Sequence, residues 1–182
     1  MTRCLVVGTM LAAMLATSPS QAHAQKFSAT LSGFEEIGGL GAGETGAILT
    51  QGKGTLFLDL NKAAQTLTFK LTFSGLSAPV LQSHIHFGKE HVAGGVMVFF
   101  CTNLGNGPAG TQACPAGGGT VTGTITAADI VGPTAQNVTA GDFDALQDAL
   151  SSNTAYVNVH TNNFPAGEIR GQIRRGDRDD EE

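Results

Sequence analysis

The residues best suited to chemistry are three histidines. Two stand at alternate positions in SHIHFG (residues 83–88), and the third closes AYVNVH (residues 155–160). On a strand, side chains alternate between faces, so Ser83, Ile85 and Phe87 point one way and His84 and His86 the other. In the late segment Val157 and Val159 take the core face, leaving Tyr156, Asn158 and His160 on the opposite one. Three imidazoles from two strands suit copper or zinc rather than calcium or magnesium, which demand oxygen ligands; copper is the leading candidate and zinc the lesser one.

Around this trio lie residues with supporting roles to test. The stretch 161–167 carries Asn, Pro and Gly and suits a chain reversal. A hairpin there sets Glu168 roughly beside His160, where it would orient that ring or ligate directly. Arg170 faces the same side, and the competing reading of Glu168 and Arg170 is a cross-strand ion pair in solvent. His91, five residues after His86, sits in a stretch able to fold back over the site. Tyr156, the only tyrosine, can pack at a strand start with its hydroxyl bonded to backbone. In GVMVFFC (residues 95–101) the alternation of Val96, Val98 and Phe100 sends Met97 and Phe99 to the other face, so Met97 is either a soft copper ligand or a core filler. The plainest alternative for the histidines is a set of solvated or hydrogen-bonded rings on the polar face of a structural scaffold.

The elements that must position these residues read as strands. Over Thr66–Ser74, Leu67, Phe69, Leu71 and Phe73 alternate with Thr66, Thr68, Lys70, Thr72 and Ser74, the pattern of a half-buried antiparallel strand. GTLFLDL repeats it just upstream, with residues 61–65 as the hairpin turn. KFSATLSG, GVMVFFC, GTVTGTIT, AYVNVH and GEIRGQIR read the same way, giving with 83–87 about eight strands. One segment departs: TAGDFDALQDALSS has Phe143, Leu146, Ala149 and Leu150 at helical spacing, with Thr139 and Asp142 spaced like a capping box. The expected fold is therefore all-β, a Greek-key β-sandwich or barrel of about eight antiparallel strands with one short helical insertion.

The ends of the chain bound the domain. A short basic start, the apolar run 4–16 and the A-x-A triplet Ala22-His23-Ala24 read as a signal peptide over residues 1–24, cleaved near Ala24. Its removal takes Cys4 and leaves Cys101 and Cys114, a pair suited to a disulfide across a Gly/Pro-rich loop in a periplasmic or secreted protein. The body is one domain over residues 25–173, and the charge-dense segment 174–182 reads as a solvated tail. A formal net charge of −5 gives no attraction for nucleic acid or anionic lipid, and the leader's apolar run is too short to span a bilayer. No nucleophile elbow or phosphate loop is present, and Glu35-Glu36 would point opposite ways on a strand, so neither hydrolase nor glycosidase chemistry is indicated.

At SHIHFG and at AYVNVHTNNFPAGEIRGQI the chain resembles the chordin (CHRD) domain family, over roughly residues 27–173. The resemblance implies an exported single-domain β protein that acts as a binding module, with an extracytoplasmic protein as a candidate partner. HIHFG is also distantly similar to the H-x-H strand of copper/zinc superoxide dismutases, in which case His160 would supply the further copper ligand; the cluster of histidines and an aspartate that binds zinc there is missing. Three functions follow as expectations: a binding module with a mononuclear copper site, a copper-dependent oxidoreductase, or a purely structural extracytoplasmic domain.

Overall fold

A computed structural model describes residues 24–37 and 46–176. The leader and the end of the charged segment lie outside these residues. Among the described residues nine strands and one α-helix follow in order: β1 (Gln25–Ser32), β2 (Lys53–Asn61), β3 (Thr66–Ser74), β4 (Val80–Phe87), β5 (Gly95–Thr102), β6 (Gly119–Ile125), α1 (Phe143–Ser151), β7 (Ala155–Thr161), β8 (Ile169–Gln172) and β9 (Arg174–Arg175). They form one antiparallel sheet of order β5-β4-β7-β8-β1-β2-β3-β6, with β9 pairing β1. The two ends of that path approach each other, so the sheet is a nearly closed barrel rather than two separate layers.

The core follows from alternation. In β2 and β3 every second side chain is buried, Leu56, Leu58 and Leu60 opposite Leu71, Phe69 and Leu67. Their other faces carry Thr55, Lys70, Thr72 and similar residues into solvent, as a half-buried sheet should. Helix α1 turns Phe143, Leu146, Ala149 and Leu150 inward. Asp142 caps it by accepting the Ala145 N–H at 2.9 Å. Thr139 contributes only its carbonyl, to the Asp142 N–H, so the capping box expected between these two does not form.

Strand β5 departs from strict alternation, and this corrects the placing of Met97. Its pairing with β4 skips Phe100 and Met97, through register shifts between Ser83 and His84 and between Ile85 and His86. Each shift is a bulge that gives β5 one extra residue and turns two neighbours toward the same side. Met97, Val98, Phe100 and Cys101 therefore all enter the core, and only Val96 and Phe99 stand opposite His86 and His84. Met97 fills space and is no ligand.

Cys101 and Cys114 form the expected disulfide. Asn103 fastens the same loop, its side chain donating to the Val80 and Cys114 carbonyls and accepting the Cys114 N–H. The segment expected to be a solvated tail from Arg174 gives its first two residues to β9, and Arg174 pairs with Glu90 at 2.6 Å on the surface.

Candidate metal centre

Pairing of β4 with β7 sets His84 opposite Asn158, His86 opposite Tyr156 and Gln82 opposite His160. This diagonal brings the three imidazoles together. His84 Nδ1 lies 3.1 Å from His160 Nε2, and one ring nitrogen from each histidine lies within 4.8 Å of the others. Nitrogens sharing an ion at about 2.1 Å sit about 3.5 Å apart, so the cluster needs only a small inward movement to hold one.

The protons on these rings are placed by their partners. His86 Nδ1 is 2.9 Å from the Gly94 carbonyl, and His160 Nδ1 is 2.9 Å from the Pro165 carbonyl. A carbonyl only accepts, so both Nδ1 atoms carry hydrogen and both Nε2 atoms keep a lone pair. His84 Nδ1 then donates to His160 Nε2, which leaves its own Nε2 bare. The Nε2 atoms of His84 and His86 are buried with no hydrogen-bond partner. Each orphaned acceptor costs about 1–3 kcal/mol, the kind of expense a ligand would relieve.

All three rings are held neutral. Burial, reinforced by the neighbouring His160 and His86, lowers His84 to about 2. Burial lowers His86 to about 4 against the opposing Gly94 carbonyl and Asn158, and lowers His160 to about 4 against the Pro165 carbonyl. Neutral imidazole is the form that binds metal.

The face that carries the histidines turned out to be covered. His84, His86 and His160 are 2%, 7% and 6% exposed. Phe99 meets His84 edge-on at 4.4 Å, and Tyr156 stacks flat on His86 at 4.8 Å. The Arg170 guanidinium lies 3.4 Å over the Tyr156 ring and donates to the carbonyls of Lys89 and Val92. Arg170 is thus a clamp that draws residues 88–94 over the centre. The Tyr156 hydroxyl accepts the Gly94 N–H at 3.1 Å, as a backbone-bonded hydroxyl was expected to do. Gly94 has no room for a side chain, because a Cβ there would collide with the Phe87 carbonyl.

Two supporting expectations are corrected here. Glu168 neither orients His160 nor joins the cluster: its carboxylate accepts from the hydroxyls of Thr50, Ser77 and Thr161 and from the Ser77 N–H, at 2.6–2.8 Å. Those bonds outweigh its burial and keep it below the usual carboxylate range. Glu168 and Arg170 are both buried, so the solvent-exposed ion pair is replaced by two separate networks. His91 does sit in the covering segment, but its side chain is exposed and its backbone is left-handed, and it does not join the trio.

The match to known proteins comes from one comparison. A family model described as the CHRD domain spans residues 27–173, which include all three histidines and both strands that carry them. The chain belongs to the CHRD domain family. No curated protein and no solved structure matches it, so the likeness to dismutases stays at the level of a single strand motif.

In this CHRD domain two further buried polar residues, Asn158 and Glu36, meet around Gly167, and the first of them reaches His86. Asn158, facing the same side by alternation, is 3% exposed and touches His86, and its Oδ1 has no partner. Glu36 is 3% exposed, with Oε2 unpartnered and Oε1 accepting the Ile37 N–H at 3.3 Å. Burial raises its carboxyl to about 7, against the Ile37 N–H and the Arg170 charge. Both side chains crowd Gly167, where a Cβ would strike the Glu36 carboxylate and lie 2.9 Å from Asn158 Nδ2. Alternation could have pointed to Asn158. Nothing in the sequence singles out Glu36 from its exposed neighbour Glu35.

Proposed function

We propose that this protein is an exported CHRD-domain binding module that captures one copper ion in its three-histidine centre without turning over a substrate. The observation that carries the reading is the gathering of three ring nitrogens within 4.8 Å, with two Nδ1 protons already committed to backbone carbonyls. That arrangement orients lone pairs inward before any ion arrives, as oriented histidine ligands do. The disulfide is compatible with a location outside the cytoplasm, and among the described residues no helix is long and apolar enough to cross a membrane.

Burial of all three rings supports binding over catalysis, since a reacting molecule would need a path that the Phe99, Tyr156 and 88–94 cover narrows. The test is metal analysis of the protein recovered from an export pathway, followed by copper titration of the metal-free form. One equivalent is expected for the native chain and none for the His84→Ala/His160→Ala double variant. Equal uptake by both would refute the reading. A rate against superoxide or simple phenols above that of free copper would replace the binding module with an oxidoreductase.

A further inference from the structure

We infer that the centre selects copper in its singly charged state, Cu(I), over Cu(II) and Zn(II). The inference rests on the copper reading and adds the oxidation state. It follows from the charge and number of the groups around the ion.

The donor set is electrically neutral. Among the described residues the cluster consists of three imidazoles alone, with no carboxylate or thiolate among its ligand atoms. The groups behind the rings are neutral too, because His86 and His160 lean on the backbone carbonyls of Gly94 and Pro165 rather than on acidic side chains. The cost of burying an ion grows with the square of its charge, so a dication entering this closed site loses far more hydration than a monocation. Many dication sites offset that loss with negative ligands, and among the described residues this cluster supplies none.

Nearby fixed charge acts in the same direction. Arg170, stacked on the far side of the ring that covers His86, opposes positive charge on that histidine. It opposes a dication twice as strongly as a monocation. The Glu168 carboxylate is occupied by three hydroxyls and an N–H, and burial raises the Glu36 carboxyl to about 7, so it carries only part of a negative charge at neutral pH.

Coordination number gives an independent argument. Zinc in closed sites is four-coordinate and Cu(II) favours a tetragonal arrangement, so each wants a fourth donor. Cu(I) is satisfied by three nitrogens in a plane. Phe99 against His84 and Tyr156 against His86 place carbon on two sides of the cluster, and the unpartnered Oδ1 of Asn158 beside His86 is a neutral oxygen, not a charged donor.

The deciding experiment is an anaerobic competition titration of the exported protein with Cu(I) against a chromophoric Cu(I) chelator, alongside Cu(II) and Zn(II) titrations against chelators matched to each. One Cu(I) per chain is expected, bound at least a hundred-fold more tightly than Zn(II) or Cu(II). Asn158→Asp, nearly unchanged in size, sets a negative charge beside His86 and is expected to narrow the gap at least ten-fold. Cu(II) or Zn(II) binding as tightly as Cu(I) in the native chain would overturn the preference while leaving a metal centre. Failure of all three ions to bind would overturn the copper reading itself. An Asn158→Asp protein that folds and keeps the native ratio would show that charge does not set the selection.

Discussion

The metal-free protein should lose stability as the pH falls from 7 to 5, by an amount set by the buried rings. Each of His84, His86 and His160 has its value depressed from 6.5 to about 4 or lower. The unfolded chain therefore binds protons that the fold refuses, so their contribution is present above pH 6.5 and is lost as the pH falls toward the folded values. At pH 5 the loss is governed by the unfolded value, because all three folded values lie below that pH. Each ring costs about 2 kcal/mol over this window, or about 5–6 kcal/mol for the three. Glu36 acts in the opposite sense: its value is raised from 4.5 to about 7, so it adds stability at low pH and loses it as the pH rises through 7. It returns about 2 kcal/mol between pH 7 and 5. Glu168 is held low and loses its contribution only further into acid. The net loss is about 3 kcal/mol, equivalent to an uptake of about one proton on unfolding averaged over the window, and large against a total stability of about 5–15 kcal/mol. Urea unfolding at pH 7, 6 and 5 measures it. The variant with all three histidines changed to Gln should reverse the sign, leaving Glu36 to make the protein about 2 kcal/mol more stable at pH 5 than at pH 7. A native protein equally stable at both values, or a triple variant with the native slope, would refute the assignment of neutral buried rings.

Three other outcomes follow from separate parts of the structure. Glu168→Gln replaces an acceptor of four hydrogen bonds with an amide that must donate, and should cost about 3 kcal/mol in denaturant unfolding while leaving metal stoichiometry unchanged. Replacing Cys101 and Cys114 together with Ser opens a loop of sequence separation 13 and should cost about 3 kcal/mol by the same measurement. Arg170→Lys keeps the charge but loses the planar stack on Tyr156 and the reach to the Lys89 and Val92 carbonyls; hydrogen exchange should show residues 88–94 opening more often, with a stability loss of about 1–2 kcal/mol.

The strands were legible because a half-buried strand must alternate. Thr66–Ser74 shows this best, since its expected and observed limits coincide. Met97 was misplaced because a bulge inserts a residue without altering composition, and GVMVFFC contains two such insertions that alternation cannot register. The helix position was legible from its apolar spacing, while its cap was assigned to a pair although Asp142 alone caps it. Glu168 escaped prediction for a longer-range reason. It precedes the ladder that begins at Ile169, and the hydroxyls that hold it come from Thr50 and Ser77, over ninety residues away in sequence, as well as from Thr161 nearby.

What alternation could not tell was whether the polar face of a strand meets water. In β2 it does, and buried and exposed side chains take turns along its whole length. In β7 every residue is buried, although Tyr156, Asn158 and His160 point away from Val157 and Val159 just as Thr55 and Asp59 point away from Leu56 and Leu58. The difference is made by segments elsewhere in the chain: the turn ending at Glu36, the 88–94 segment drawn in by Arg170, and Phe99 turned outward between two bulges. A strand buried on both faces is ordinarily apolar on both. Keeping histidine and asparagine on a covered face carries a desolvation cost, and unpartnered atoms of His84, His86 and Asn158 lie on that face. A scaffold alone would be more stable with valine at these positions, so the same cover that hides the histidines from water is the argument that they serve an ion.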